Sequence, residues 1–233
     1  MRVFARTHSR LPALFVLVFA LLLIYLPAKA DGNPNPGILP PNSNAFGTTY
    51  AQLAADWWNW ALAGPNGSNV LQDTTGALCG LNQEGKVWFL GGALNSGTVE
   101  RTCTVPPGKA IFFPVANYFN SAEEPTYEET RQKAKDYWQA NLESASATLD
   151  GRQVADLNSY YVESPDYILV LPENNILDDP AGSAPAGSYS PSAAVGYHLL
   201  LAPLAPGRHE LHFDAVFKNS GRIEVIYHLI VDK

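Results

Sequence analysis

Three of the five histidines, His198, His212 and His228, are the side chains best suited to metal or acid–base chemistry in this chain. Imidazoles are common zinc ligands, and three in a row could leave a fourth position open for water. A second group of polar residues, Asp73, Arg101, Lys109 and Asn117, surrounds the motif-rich middle of the chain. Trp58 and Trp60 could offer an aromatic platform to a sugar or a partner side chain. The remaining catalytic signatures are missing from the sequence: there is no G-x-S-x-G, no P-loop and no dinucleotide fingerprint, and His209-Glu210-Leu211-His212 has the wrong spacing for H-E-x-x-H.

The histidines depend on how the last strands pair. Tyr197–Leu201, His209–Phe217 and Arg222–Val231 read as consecutive antiparallel strands, with Asn219-Ser220-Gly221 as a three-residue turn. Pairing Lys218 with Arg222 sets Phe217 opposite Ile223, Ala215 opposite Val225, Phe213 opposite Tyr227 and Leu211 opposite Leu229. Aligning Leu199 with Leu211 extends that apolar face across all three strands, and places His198, His212 and His228 in one row on the other. The outer two would stand two strand spacings, ~10 Å, apart. Leu200, Val216, Ile226 and Ile230 share their face, which favours a half-covered surface over a metal site, so no metal or other cofactor is assigned. His209 falls on the core side, in an ordinary structural role.

Between Cys79 and Tyr118 three short apolar runs, Val87–Leu90, Val99–Val105 and Ala110–Val115, are bounded by Gly, Pro or Asn and read as strands. Period-two alternation puts Val99, Arg101, Cys103 and Val105 on one face. Arg101 is therefore either paired with a buried carboxylate, Asp73 being the candidate, or set at the edge of a cleft; the buried pair is the preferred reading. Cys79 and Cys103 are the only cysteines. Pairing them would contribute about 3 kcal/mol by loop entropy.

Two helices accompany the strands. Thr49 and Gln52 have capping-box spacing and Gly64-Pro65 ends the run, giving a helix over 50–63 with Trp57 at the centre of its apolar arc. Thr126 and Glu129 open a second helix over 127–144, with acids early and bases late to suit the dipole. Ala147–Leu149 and Gln153–Leu157 flank an Asp150-Gly151 hairpin signal, and Tyr160–Val162 and Tyr167–Leu171 are further strands. Asp178–Ala194, rich in Ala, Gly, Ser and Pro, reads as a surface loop.

Residues 1–30 have the form of a secretory signal: Arg2, Arg6 and Arg10, an apolar run Leu11–Leu26, and Ala28-Lys29-Ala30. The Pro/Asn/Gly stretch 31–47 then reads as an extended linker, and 48–233 as one domain. Removing four of the 15 basic residues with the signal leaves 11 against 22 acidic ones, a net charge of −11. That balance repels phosphate backbones and argues against nucleic acid as a partner. No stretch beyond the signal is apolar for long enough to span a membrane. Export favours oxidation of the cysteines.

Taken together, Trp57-Trp58-Asn59-Trp60-Ala61, Asp73 with Gly76 and Cys79, Gln83-x-Gly85-x-Val87-Trp88-Phe89-Leu90, Arg101-x-Cys103-x-Val105-Pro106-x-Gly108-Lys109 and Phe112-Phe113-Pro114 with Asn117 resemble a group of exported, largely bacterial hypothetical proteins. Pro203-Leu204-x-Pro206-Gly207-x-His209 followed by Phe213 is similar to the closing strands of that group and of immunoglobulin-like modules. The resemblance implies export and a β fold, and no catalytic residue.

The expected fold is mainly β, an antiparallel β-sandwich of immunoglobulin-like or jelly-roll-like form with two accessory helices. The expected function is non-catalytic binding or a structural role at the envelope or outside the cell, with carbohydrate or an envelope protein as partner and Trp58, Trp60, Asp73, Arg101, Lys109 and Asn117 as candidate contacts. The other reading is a secreted hydrolase of saccharide or ester bonds.

Overall fold

The computed structural model describes Asn35 and residues 37–178 and 184–233, so the signal read at 1–30 lies outside the described residues. Among these residues two α-helices, α1 (Tyr50–Leu62) and α2 (Tyr127–Asn141), accompany ten strands: β1 (Val87–Phe89), β2 (Gly97–Val105), β3 (Ala110–Ser121), β4 (Leu142–Leu149), β5 (Arg152–Gln153), β6 (Tyr161–Glu163), β7 (Tyr167–Leu171), β8 (Gly187–Leu201), β9 (Gly207–Phe217) and β10 (Gly221–Val231). The first sheet runs β1-β3-β8-β6, with β7 also on β8; the second runs β2-β10-β9-β4-β5. Pairing is antiparallel except for β1 on β3 and β2 on β10.

The sandwich follows from alternation along β3. Phe113 meets Phe213 of β9 at 5.1 Å, filling the space between the sheets, while its neighbour Phe112 meets Tyr50 of α1 at 5.9 Å on the opposite face. Further along, Tyr118 stacks on Tyr137 of α2 at 4.1 Å and Phe119 packs on Trp58 of α1 at 4.3 Å. So α1 covers one face of the first sheet, and α2 shares the other with the second sheet, into whose β4 it runs directly.

Both helices start where their caps dictate. The Thr49 hydroxyl accepts the Gln52 N–H at 3.2 Å, and the Thr126 hydroxyl accepts that of Glu129 at 3.3 Å. The second helix ends at Asn141, short of the expected 144, because Leu142 is already extended and pairs with Phe217. Segment 37–39, in the stretch read as a linker, lies along the end of β8: Leu39 N–H donates to Leu200 and Ala202 N–H to Gly37.

Several sequence-based expectations need correction. The three-stranded C-terminal meander does not form, because β8 pairs with β3, with Leu199 opposite Phe113 rather than Leu211. Ala202–Pro206 carries the chain to the other sheet. The β9–β10 hairpin is shifted by two residues: Phe217 faces Gly221, Ala215 faces Ile223, Phe213 faces Val225 and Leu211 faces Tyr227. A two-residue slip keeps every side chain on its face, so Phe213 and Tyr227 still both point into the core, their rings stacked at 6.5 Å. What selects the register is tertiary. Lys218 N–H donates to the Asn141 carbonyl at 2.9 Å and the Asn219 amide to the Asn141 side chain at 2.6 Å, anchoring the turn on the end of α2. Residues 187–194, expected to be loop, form the first half of β8. Residues 179–183 of that expected loop lie outside the described residues.

Candidate functional site

The separation of the sheets dissolves the histidine row. His198 lies buried in the first sheet, its ring stacked on Phe112 at 5.5 Å, and burial holds its pKa down to about 4. His212 and His228 lie on the outer face of the second sheet, against Glu224 at 3.0 Å and Glu100 at 2.6 Å respectively. Among the described residues no cluster of His, Cys, Asp and Glu is arranged to hold a metal ion. His209 bonds Asp150 at 2.8 Å and the Ala205 carbonyl at 2.9 Å, the structural role expected of it.

Trp58 and Trp60 are both buried. The indole N–H of Trp60 donates to the Leu81 carbonyl and that of Trp57 to Leu90, each at 2.9 Å, so the tryptophan-rich helix pins the two loops that flank β1. Trp58 has no such bond, and its indole nitrogen is buried without a partner among the described residues. Lys109 reaches back to the Gly85 carbonyl. Asn117 lies half-buried on β3 opposite Gly196, with its amide nitrogen buried and unpartnered among the described residues.

Asp73 and Arg101 do come together, with different chemistry from the ion pair expected. Arg101 is only 2% exposed, yet its Nε donates to the main-chain carbonyl of Asp73 at 2.6 Å. Its Nη1 reaches the carbonyls of Gly91 and Gly92 at 2.8 and 2.9 Å and the Tyr227 hydroxyl at 2.7 Å. The guanidinium carbon sits 5.4 Å from the centre of the Tyr227 ring. Carbonyl dipoles and an aromatic face thus take the place of a carboxylate.

The Asp73 carboxylate is engaged elsewhere. One oxygen accepts the N–H groups of Thr75 at 2.9 Å and Gly76 at 3.0 Å and the Thr75 hydroxyl at 3.1 Å, and the other accepts the Leu78 N–H at 2.8 Å. Burial pushes its pKa up, but these donors outweigh burial and hold it below the ordinary value. The loop so formed is fastened to the outer edge of β2: Thr102 N–H donates to the Thr75 carbonyl at 2.9 Å, and Cys79 is bonded to Cys103. Gly76 must be glycine, since its φ is 91° and an added Cβ would stand 2.1 Å from the Thr102 oxygen.

N-terminal to Thr102 the loop and the strand diverge around a cleft of about 350 Å3, lined by Leu71, Asp73 and Thr74 on one side and by Leu94, Thr98 and Val99 on the other. Leu94 is 41% exposed at its mouth. Strand geometry decides where the backbone groups of β2 point. Alternate residues of a strand in a parallel pair direct N–H and C=O to opposite edges. Thr102 directs its N–H outward to Thr75, so Glu100 and Thr98 share that direction, at exposed positions.

Two other edge strands carry side-chain amide caps. The Asn59 carboxamide donates to the Ile168 carbonyl and accepts the Val170 N–H, both at 3.0 Å, covering β7. Gln83 does the same for Phe89 of β1, donating to its carbonyl at 2.7 Å and accepting its N–H at 2.9 Å. The far edge of the second sheet is the two-residue β5. Sequence reasoning singled out neither Asn59 as an edge cap nor Leu71, Leu94 and Thr98 as a cleft. The signal for the first was a lone carboxamide within a tryptophan run; the second had none, because the cleft joins segments brought together only by folding.

No family model matches the chain, and no curated protein matches it. Among solved structures, a chain described as "Structure of PbICP-C in complex with falcipain-2" is similar at 10% identity and a TM-score of 0.25, covering 64% of this chain and 100% of that one.

Proposed function

We propose that this protein is an exported, non-catalytic binding module that works at the cell envelope or outside the cell and recognises its partner at the cleft beside β2. The observation that carries this reading is the use made of the polar motif residues. Both Asp73 oxygens are occupied by loop donors, and Arg101 is turned inward onto carbonyls, so these groups build a rigid rim. A rigid rim around a partly apolar cleft suits recognition, because little ordering entropy is lost on binding.

The signal-like N-terminus and the disulfide support export. No helix among the described residues is long and apolar enough to cross a membrane. The resemblance to exported bacterial proteins belongs to the same proposal. A hydrolase would draw its catalysts from carboxylates or from the histidines, and His198 stands in a different sheet from His212 and His228.

The test is a turnover screen of the purified protein on chromogenic glycosides and esters, run beside a glycan array and a peptide array. Binding without turnover is expected. Turnover that survives repurification and disappears on substitution of Glu100 or His228 would replace this reading with the hydrolase one.

A further inference from the structure

We infer that the open edge of β2 receives an extended peptide as an added strand. This rests on reading the chain as a binding module, and it names the class of partner. The edge is already used in this way once: Thr75 accepts the Thr102 N–H as the first rung of a ladder, and the loop then leaves the strand. Thr98 and Glu100 continue the series of outward-directed N–H and C=O groups, at exposed positions, and a backbone in extended conformation is the ligand that matches such alternation.

Side-chain placement on the incoming strand follows from the pleat. A residue lying beside Val99 would point, as Val99 does, toward the interior, where Leu71 and Leu94 line the cleft. Its neighbours would point outward beside Thr98 and Glu100. The Glu100 side chain is 65% exposed, and the chain as a whole carries a net charge of −7. The preferred partner therefore alternates basic and apolar residues, with an apolar side chain in the cleft and a basic one against Glu100. The amide caps on β1 and β7 already engage outward N–H and C=O groups of those strands, which favours this edge for such a partner.

The probe is the blocked heptapeptide Thr-Lys-Val-Lys-Val-Lys-Thr, compared with a version in which glutamate replaces lysine, titrated into the 15N-labelled protein. The lysine peptide should shift the Thr98 and Glu100 amides and slow their hydrogen exchange. Thr98→Pro, which removes the edge N–H, should weaken binding about tenfold, the scale of one lost backbone hydrogen bond. Thr98→Val keeps the edge N–H while losing the hydroxyl bond to Glu224, 2.6 Å in the wild type, and should bind more tightly than Thr98→Pro. Glu100→Lys should reverse the preference between the two peptides, which keeps the test decisive if the proline variant does not fold.

Equal binding by the proline and valine variants, shifts confined to other amides, or no shift with either peptide at millimolar concentration would overturn strand addition. None of these outcomes touches the non-catalytic reading. Cleavage of the peptide, detected by mass, would overturn that reading while leaving the edge assignment to stand on the amide data.

Discussion

Arg101 donates to the main-chain carbonyl of Asp73 at 2.6 Å and makes no contact with its carboxylate. The two residues are neighbours because a buried guanidinium needs acceptors and the Asp73 turn supplies one, while the carboxylate is occupied in shaping that turn. Charge attraction between the side chains is not what joins them.

A double-mutant cycle separates these accounts. Arg101→Met leaves the carbonyls of Asp73 and Gly92 without their donor, while Gly91 keeps the Tyr227 hydroxyl at 2.9 Å, and should cost about 2–6 kcal/mol in urea unfolding, at about 1–3 kcal/mol for each unsatisfied buried group. Asp73→Asn weakens the turn by about 1–2 kcal/mol, since one strong acceptor becomes a donor. The two residues touch only through the Asp73 main chain, so the coupling between them should stay at the low end of the range for residues in contact, about 0.5 kcal/mol. A coupling several times larger would show that the carboxylate does pair with Arg101.

His198 makes stability depend on pH. Its folded pKa is depressed to about 4 from 6.5, so the unfolded chain binds more protons throughout that interval. Stability should be complete above pH 6.5 and fall by up to about 1.4 kcal/mol per unit as pH drops toward 4. Asp73, whose folded pKa is also lowered, adds a loss in the same direction at lower pH. His209 acts oppositely: burial lowers its pKa, but Asp150 and the Ala205 carbonyl outweigh burial and hold it above the ordinary value, so the resulting stability is fully present below 6.5 and lost as pH rises through the folded pKa. Chemical denaturation at pH 7.5, 5.5 and 4.5 should show a shallower acid limb for His198→Leu than for the wild type; parallel curves would refute the assignment.

Asn59 should act as a guard as well as a brace. Replacing it with alanine removes both bonds to β7, at a cost of about 1–2 kcal/mol. It also bares a strand whose Ile168 and Val170 are 57% and 53% exposed. Light scattering should detect concentration-dependent association of Asn59→Ala at neutral pH, with the wild type as the reference. A variant that is destabilised yet stays monomeric would leave the bracing role alone.

The disulfide and Gly76 hold the same loop, so they should fail in the same place. Replacing both cysteines with serine should lower stability by about 3 kcal/mol. It should also speed hydrogen exchange at Thr102, whose amide is bonded to Thr75. Gly76→Ala, with its Cβ forced toward the Thr102 oxygen, should break that bond even with the disulfide intact. If Thr102 stays protected in both variants, the loop is held by the Asp73 turn alone.

Local features of this protein were legible in its sequence. Thr49 and Thr126 announced the helix starts, the core runs of β1, β2 and β3 stood out as strand-length segments, and period-two alternation placed Phe213 and Tyr227 on one face of their sheet. The cysteines were legible as a pair because they were the only two. Each of these depends on a few consecutive residues, where backbone sterics and burial act directly.

Partner choice was decided only by the tertiary structure. A slip of two residues leaves the apolar face of β9 and β10 unchanged, so alternation cannot select a register, and the bonds from Asn141 to Lys218 and Asn219 do. Nothing near Leu199 says whether β8 will pair with β9 or with β3, and that choice placed His198 in the core. The acceptors of Arg101 are main-chain carbonyls, which every residue carries, and only the folded backbone brings those of Asp73, Gly91 and Gly92 to one guanidinium.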